Sequence, residues 1–97
     1  MSDRARIDKW LWHARFYRSR TLAQQAAESG LVRLNGARVE KSGHGVKPGD
    51  VLTVPQGRQI VAVRILSVAA RRGPAREAQA LYEIVADGGL DPRRGPP

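Results

Sequence analysis

The 97 residues carry seventeen Lys and Arg against nine Asp and Glu, a formal charge of +8; that length favours one domain with a modest core. There is no cysteine, which excludes disulfides, thiolate nucleophiles and cysteine-based zinc sites together and suits a reducing compartment. No apolar run approaches the ~20 residues of a membrane span, and the opening MSDRARIDKW lacks the apolar segment of a secretory signal, so a cytoplasmic protein is expected.

The first helix is expected from about Arg6 to Ala14 or Arg15. Ile7, Trp10, Leu11 and Ala14 recur at i, i+3, i+4 and i+7 and make one apolar stripe. Asp8 falls in the first turn, where a carboxylate suits the positive end of the helix dipole. Lys9, Trp12 and Phe16 lie off the stripe. A ring such as Trp12 either stacks a base or covers a neighbouring loop, the commoner use. Residues 16–20, FYRSR, link to a second helix over about Thr21–Ser29. Thr21 and Gln24 have capping-box spacing, with Ser19 as a rival cap. Leu22, Ala23, Ala26 and Ala27 offer a small-residue face for close helix packing. Gly30 is placed as a left-handed stop, with Leu31 folding back over the last turn.

Val32-Arg33-Leu34, Asn35-Gly36 and Ala37-Arg38-Val39 form a hairpin signal, since Asn-Gly is the preferred type I′ pair. A two-residue loop sets Leu34 opposite Ala37 and Arg33 opposite Arg38. Two arginines facing each other repel, which makes sense if an anion sits between them; otherwise both splay into solvent and salt screens them. Residues 41–50 read as loop, with Pro48-Gly49 at the centre of a type II turn. Gly43-His44-Gly45 lacks the spacing of a nucleotide loop. Val51–Val54 reads as a strand, Pro55–Arg58 as a turn and Gln59–Val68 as the longest strand, with Val61, Val63 and Ile65 on one face. Pro74 opens a short helix to about Ala80. Leu81–Val85 either extends it or forms a last strand, and residues 86–97 have the composition of a disordered tail.

The residues expected for catalysis are missing. His13, read as surface or interhelical, and His44, read as a loop residue, have no cysteine to join, and a metal site needs three or four ligands. The carboxylates are scattered, and Ser19, Ser29, Ser42 and Ser67 lie in no nucleophile elbow. No enzyme activity, cofactor or metal is expected. The information lies in the positive charge. Fourteen of the cations are arginine, whose planar fork suits phosphate and stacks on bases. Residues 1–41 hold nine Lys and Arg against four acids. Arg6, Lys9, Arg15, Arg18 and Arg20 surround the first helix and the link; Arg33, Arg38 and Lys41 sit on or beside the hairpin. The backbone N–H groups at the start of the second helix add a phosphate seat. A solvated basic face is the plain alternative.

The runs R-I-D-K-W-L-W-x-A-R-F-Y-R-S-R, A-x-x-x-x-E-S-G-x-V-x-L-N-G, K-S and V-K-P-G-D-V-L resemble the S-four-type, or alpha-L, RNA-binding domain. The opening run, with R-R-G-P-A-x-E-A-x-x-L-Y-E at Arg71–Glu83, is similar to the heat-shock-protein-fifteen-like branch of ribosome-associated proteins. The likeness covers about residues 4–85, taken as the domain. It implies an α+β fold with two packed N-terminal helices against a small bent antiparallel sheet. It implies a non-catalytic protein that binds structured RNA, with ribosomal RNA on the large subunit favoured. For the branch it further implies heat-shock rescue or recycling of stalled subunits that hold a nascent-chain tRNA. Carried onto this sequence, the matching contact positions are Arg6, Lys9, Arg15, Arg18, Ser19, Arg20 and Lys41; strand geometry adds Arg33 and Arg38. Members of the branch often carry a longer basic C-terminal extension, where this sequence ends in DPRRGPP. The alternatives are an accessory of an RNA-modifying enzyme, or a DNA binder using the same face, with DNA the weaker partner. No membrane partner is expected, and the chain is expected to act as a monomer.

Overall fold

The computed structural model describes residues 4–56, 59–68 and 72–86. Beyond Ala86, the expected tail lies outside the described residues, as do Gly57, Arg58 and Arg71. The elements are β1 (Ala5–Arg6), α1 (Ile7–His13), α2 (Arg20–Glu28), β2 (Arg33–Leu34), β3 (Ala37–Arg38), β4 (Gly45–Val46), β5 (Val51–Gln56), β6 (Gln59–Ile65), α3 (Ala75–Gln79) and β7 (Tyr82–Ala86). β1 pairs with β4 in a small clamp, and the other strands form one antiparallel sheet in the order β3-β2-β5-β6-β7. This is the expected α+β architecture. The undecided segment after α3 is a strand.

α1 has no side-chain cap at its start. Arg6 is extended there, and pairing of β1 with β4 sets Arg6 opposite Gly45. That pairing brings up carbonyls from the loop: the Ile7 N–H donates to His44 O at 2.7 Å and the Asp8 N–H to Ser42 O at 3.2 Å. They serve the first-turn donors that a helix leaves without an internal acceptor. At its other end the Arg15 N–H reaches Trp12 O and the Phe16 N–H reaches Leu11 O, the paired bonds of a Schellman motif. The left-handed position is filled by Arg15, φ 64°, not by glycine. The reversal returns Phe16 to the core, its ring 6.1 Å from Trp10 and 4.9 Å from Tyr82.

The stripe Ile7, Trp10, Leu11 and Ala14 is buried as expected. It packs with Ala23 and Ala27 of α2 and with Leu52, Val54, Val61, Val63 and Ile65 of the sheet. Leu52 pairs with Val63 and Val54 with Val61, so period-two alternation buries one face of this central hairpin. Trp10 donates its indole N–H to Ser67 O at 2.9 Å, which satisfies its polar edge inside the core.

Several local expectations change. Ser19, not Thr21, caps α2: its Oγ accepts the Leu22 N–H at 3.1 Å. Leu22 is exposed, because α2 meets the core through the alanines one and five residues further on. Leu31 is 63% exposed and does not fold back, although Gly30 has the expected positive φ of 85°. His13 is only 2% exposed, so the surface reading of it fails. Pro55 and Gln56 belong to β5; they lie past Thr53, the last residue that pairs with β2, where an edge tolerates proline. β6 stops at Ile65, because the Leu66 and Ser67 N–H groups both turn to Leu81 O.

Candidate nucleic-acid interface

The most connected polar group near the basic residues is a carboxylate. Asp8 has no exposed surface. The Arg6 guanidinium donates twice to it, Nε to Oδ1 at 3.2 Å and Nη2 to Oδ2 at 3.0 Å. The Lys9 N–H donates to Oδ1 at 2.6 Å, and Arg20 Nη2 stands 4.0 Å from the same oxygen. A single buried charge therefore ties the strand before α1 to the start of α2. Hydrogen bonding to Asp8, then its charge, raises the Arg6 pKa. The side chains of Arg6 and Arg20 remain 49% and 43% exposed. Gly43 lies against Arg6; a Cβ there would sit 3.5 Å from its guanidinium carbon.

Around this pair Ser19 closes the first turn of α2, whose Arg20 and Thr21 N–H groups have no acceptor within the helix. Arg18 is exposed on the link, Lys9 is half-buried on α1, and Lys41 is exposed at the loop whose carbonyls cap α1. Arg15 lies elsewhere. Its Nε donates to Gly73 O at 2.8 Å, beside a reciprocal contact in which Arg72 Nε donates to Trp12 O at 3.1 Å. The Arg72 guanidinium stacks 5.5 Å from the Trp12 ring centre, so Trp12 covers a neighbouring segment, the commoner of its two expected uses.

The hairpin has the expected register, Arg33 opposite Arg38 and Leu34 opposite Ala37, with Asn35 and Gly36 both at positive φ. The two guanidinium groups turn apart. Arg33 Nη1 reaches Gly36 O at 3.5 Å, and Arg38 folds over Gly30, where a Cβ would meet its Nη2 at 2.5 Å. Glycine at 30 thus provides both the helix stop and the space for Arg38. Cations are favourable at the C-terminal end of a helix such as α2, so each arginine has a neighbour of its own within the chain.

The structure joins Arg6, Arg20 and Ser19 in one locality, puts Arg15 with Arg72, and puts Arg38 at the far end of α2 and Arg33 at the hairpin turn. Two participants escape the sequence reading. Asp8 reads there as a dipole carboxylate, although the Arg-x-Asp spacing of Arg6 and Asp8 is a signal for a pair. Arg72 has no local signal, since its partner is sixty residues earlier. Among the described residues no group of three or more His, Asp or Glu gathers as metal ligands, and no helix is long and apolar enough to cross a membrane.

Residues 5–52 match the model of the S4 domain. The chain is 46% identical over 82 residues to a heat shock protein 15 homolog of Aeromonas salmonicida, and 43% identical over 82 residues to heat shock protein 15 of Escherichia coli K12. Both alignments cover 84% of this chain but 61% of the relative. The RQC P-site tRNA stabilizing factor of Halalkalibacterium halodurans is 40% identical over 79 residues, covering 81% of this chain and 88% of that protein. A solved structure of Vibrio cholerae heat shock protein 15, described as trimeric, superimposes with a TM-score of 0.80 at 40% identity, over 86% of this chain and 83% of that one.

Proposed function

The chain belongs to the S4-domain family, in its heat-shock-protein-15-like branch, and from that premise we propose that it is a non-catalytic protein that binds structured RNA. Residues 4–85 are the binding unit, and ribosomal RNA of the large subunit is the favoured target. The carrying observation is the convergence of Arg6 and Arg20, half exposed, on buried Asp8 beside the first turn of α2, where Ser19 takes the Leu22 N–H and the Arg20 and Thr21 N–H groups have no acceptor within the helix. Two guanidinium forks and helix N–H groups in one place suit a phosphate backbone. Arg18, Lys9 and Lys41 extend that surface, and Arg15, Arg33 and Arg38 are its outer contacts. Recognition is then mainly of backbone and shape, with few base contacts.

The likeness to the RQC P-site tRNA stabilizing factor favours a narrower second reading: rescue of a stalled large subunit that still holds a nascent-chain tRNA. The test compares a ribosomal RNA fragment, tRNA, duplex DNA and anionic vesicles as competitors. RNA is expected to win, with DNA weaker and vesicles inert. Replacing Arg15, Arg18 and Arg20 together by Ala is expected to weaken RNA binding at least about tenfold with helical circular dichroism retained. Unchanged binding by that variant rejects the face.

A further inference from the structure

We propose that Asp8 is a positioning residue for RNA binding: its buried carboxylate holds the Arg6 and Arg20 side chains in the arrangement that meets the nucleic-acid backbone. The inference rests on the RNA-binding reading and concerns how the same site is built. An acid in a phosphate-binding surface works against binding by charge alone, and this one is placed to work least against it. It has no exposed surface, while both arginines keep much of theirs. The Arg6 fork spends Nε and one Nη on the two carboxylate oxygens, which fixes the plane of the guanidinium. Arg20 comes from α2 and stands 4.0 Å from Oδ1, an ion pair without a direct hydrogen bond, so one charge lies between two guanidinium groups carried by different elements. The Lys9 N–H, at 2.6 Å from Oδ1, locks the carboxylate in turn. Arginine loses side-chain freedom when it binds, and prior ordering removes that cost.

The substitution Asp8→Asn separates positioning from charge, because the two predict opposite signs. It keeps the shape of the side chain and an oxygen acceptor, and it removes one negative charge from a chain of +8. If charge alone governs, RNA binding tightens. If Asp8 positions the arginines, binding weakens by about tenfold, the cost of ordering two long side chains only on contact. Binding of a ribosomal RNA fragment is measured for wild type, D8N, R20A and the double variant. The expected result is a folded D8N with weaker binding, and an R20A effect smaller in the D8N background than in wild type. A folded D8N that binds as tightly as wild type or tighter overturns the assignment while the RNA-binding reading stands. Wild type without RNA affinity overturns both. Should D8N not fold, 15N relaxation of the arginine side chains in the free wild-type chain decides. Arg6 and Arg20 Nε–H are expected to be more ordered than that of exposed Arg18, and equal mobility overturns the proposal.

Discussion

Arg15 shows how one residue can serve the fold at a cost. Its φ of 64° is a conformation that costs an L side chain about 1–2 kcal/mol and a glycine almost nothing. Glycine is the usual occupant of this helix-terminal position. The offset visible in the structure is the Nε bond to Gly73 O, worth about 1 kcal/mol. Arg15→Gly is therefore expected to hold or raise the melting temperature, and Arg15→Ala, which keeps the strain and loses the bond, to lower it. Both are expected to weaken RNA binding. Thermal unfolding followed by circular dichroism, beside a binding titration, checks this; a glycine variant less stable than the alanine variant contradicts the argument. The sequence places the helix end at residues 14–15, one or two past the last helical residue His13, and says nothing of the left-handed arginine, because the backbone angle follows from Phe16 returning to Trp10 and Tyr82. Asp8 is buried for the same kind of reason. It looks polar and terminal in sequence, and of the cations that permit its burial Arg20 comes from another helix, while the direction of the Arg6 side chain is not encoded in the pattern.

Among the elements, the two tight turns are the most legible, and they are fastened together. Asn35 takes the left-handed position of the hairpin, donates Nδ2 to Asp50 Oδ1 at 3.2 Å and accepts the Val51 N–H at 2.9 Å. Asp50 also accepts the Lys47 N–H and Nζ, each at 3.0 Å, across the Pro48-Gly49 turn. Burial raises the Asp50 pKa, but the bonds from Asn35 and Lys47 and the lysine charge outweigh it and leave the carboxyl below its ordinary value. A depressed carboxyl stabilises the fold fully above the unfolded value of ~3.9 and loses that contribution as pH falls through the lower, folded value. Asp50→Asn is therefore expected to cost about 1–3 kcal/mol near neutral pH, and the gap from wild type to close on acidification below about pH 4. Denaturant midpoints across that range check it, and a gap that widens in acid refutes it. Asn-Gly and Pro-Gly-Asp declare these turns locally, so register and turn type are readable. The clasp between them is not, because it joins residues fifteen apart that only β2–β5 pairing brings together. The same limit explains the strand ends. Alternation reads through to Val68, whereas the real end at Ile65 is set by a competing acceptor, Leu81 O.

At the scale of the whole molecule, among the described residues, Arg6 and Arg20 form an inner pair at Asp8, Arg15 and Arg72 a clasp beside Trp12, and Arg33 and Arg38 two separated groups on the hairpin. If the inner group and its neighbours neutralise about five phosphates, log affinity is expected to fall with log salt at a slope of about −3.5 to −4.5. Titrations at several salt concentrations measure it, and a flat response removes the electrostatic basis of the site. One copy holds both forks and Asp8, so one chain per RNA site is the expected stoichiometry, with three copies as the contrary outcome. The opening helix carries a further consequence for synthesis. Its first two donors are served by carbonyls of Ser42 and His44, and the strand before it is held by Gly45 and Val46. Made from its N-terminus, the nascent polypeptide cannot give those donors their carbonyls until residues 42–44 have followed. The segment with the strongest helical pattern is thus finished late, and the basic surface beside it matures only once the loop has emerged.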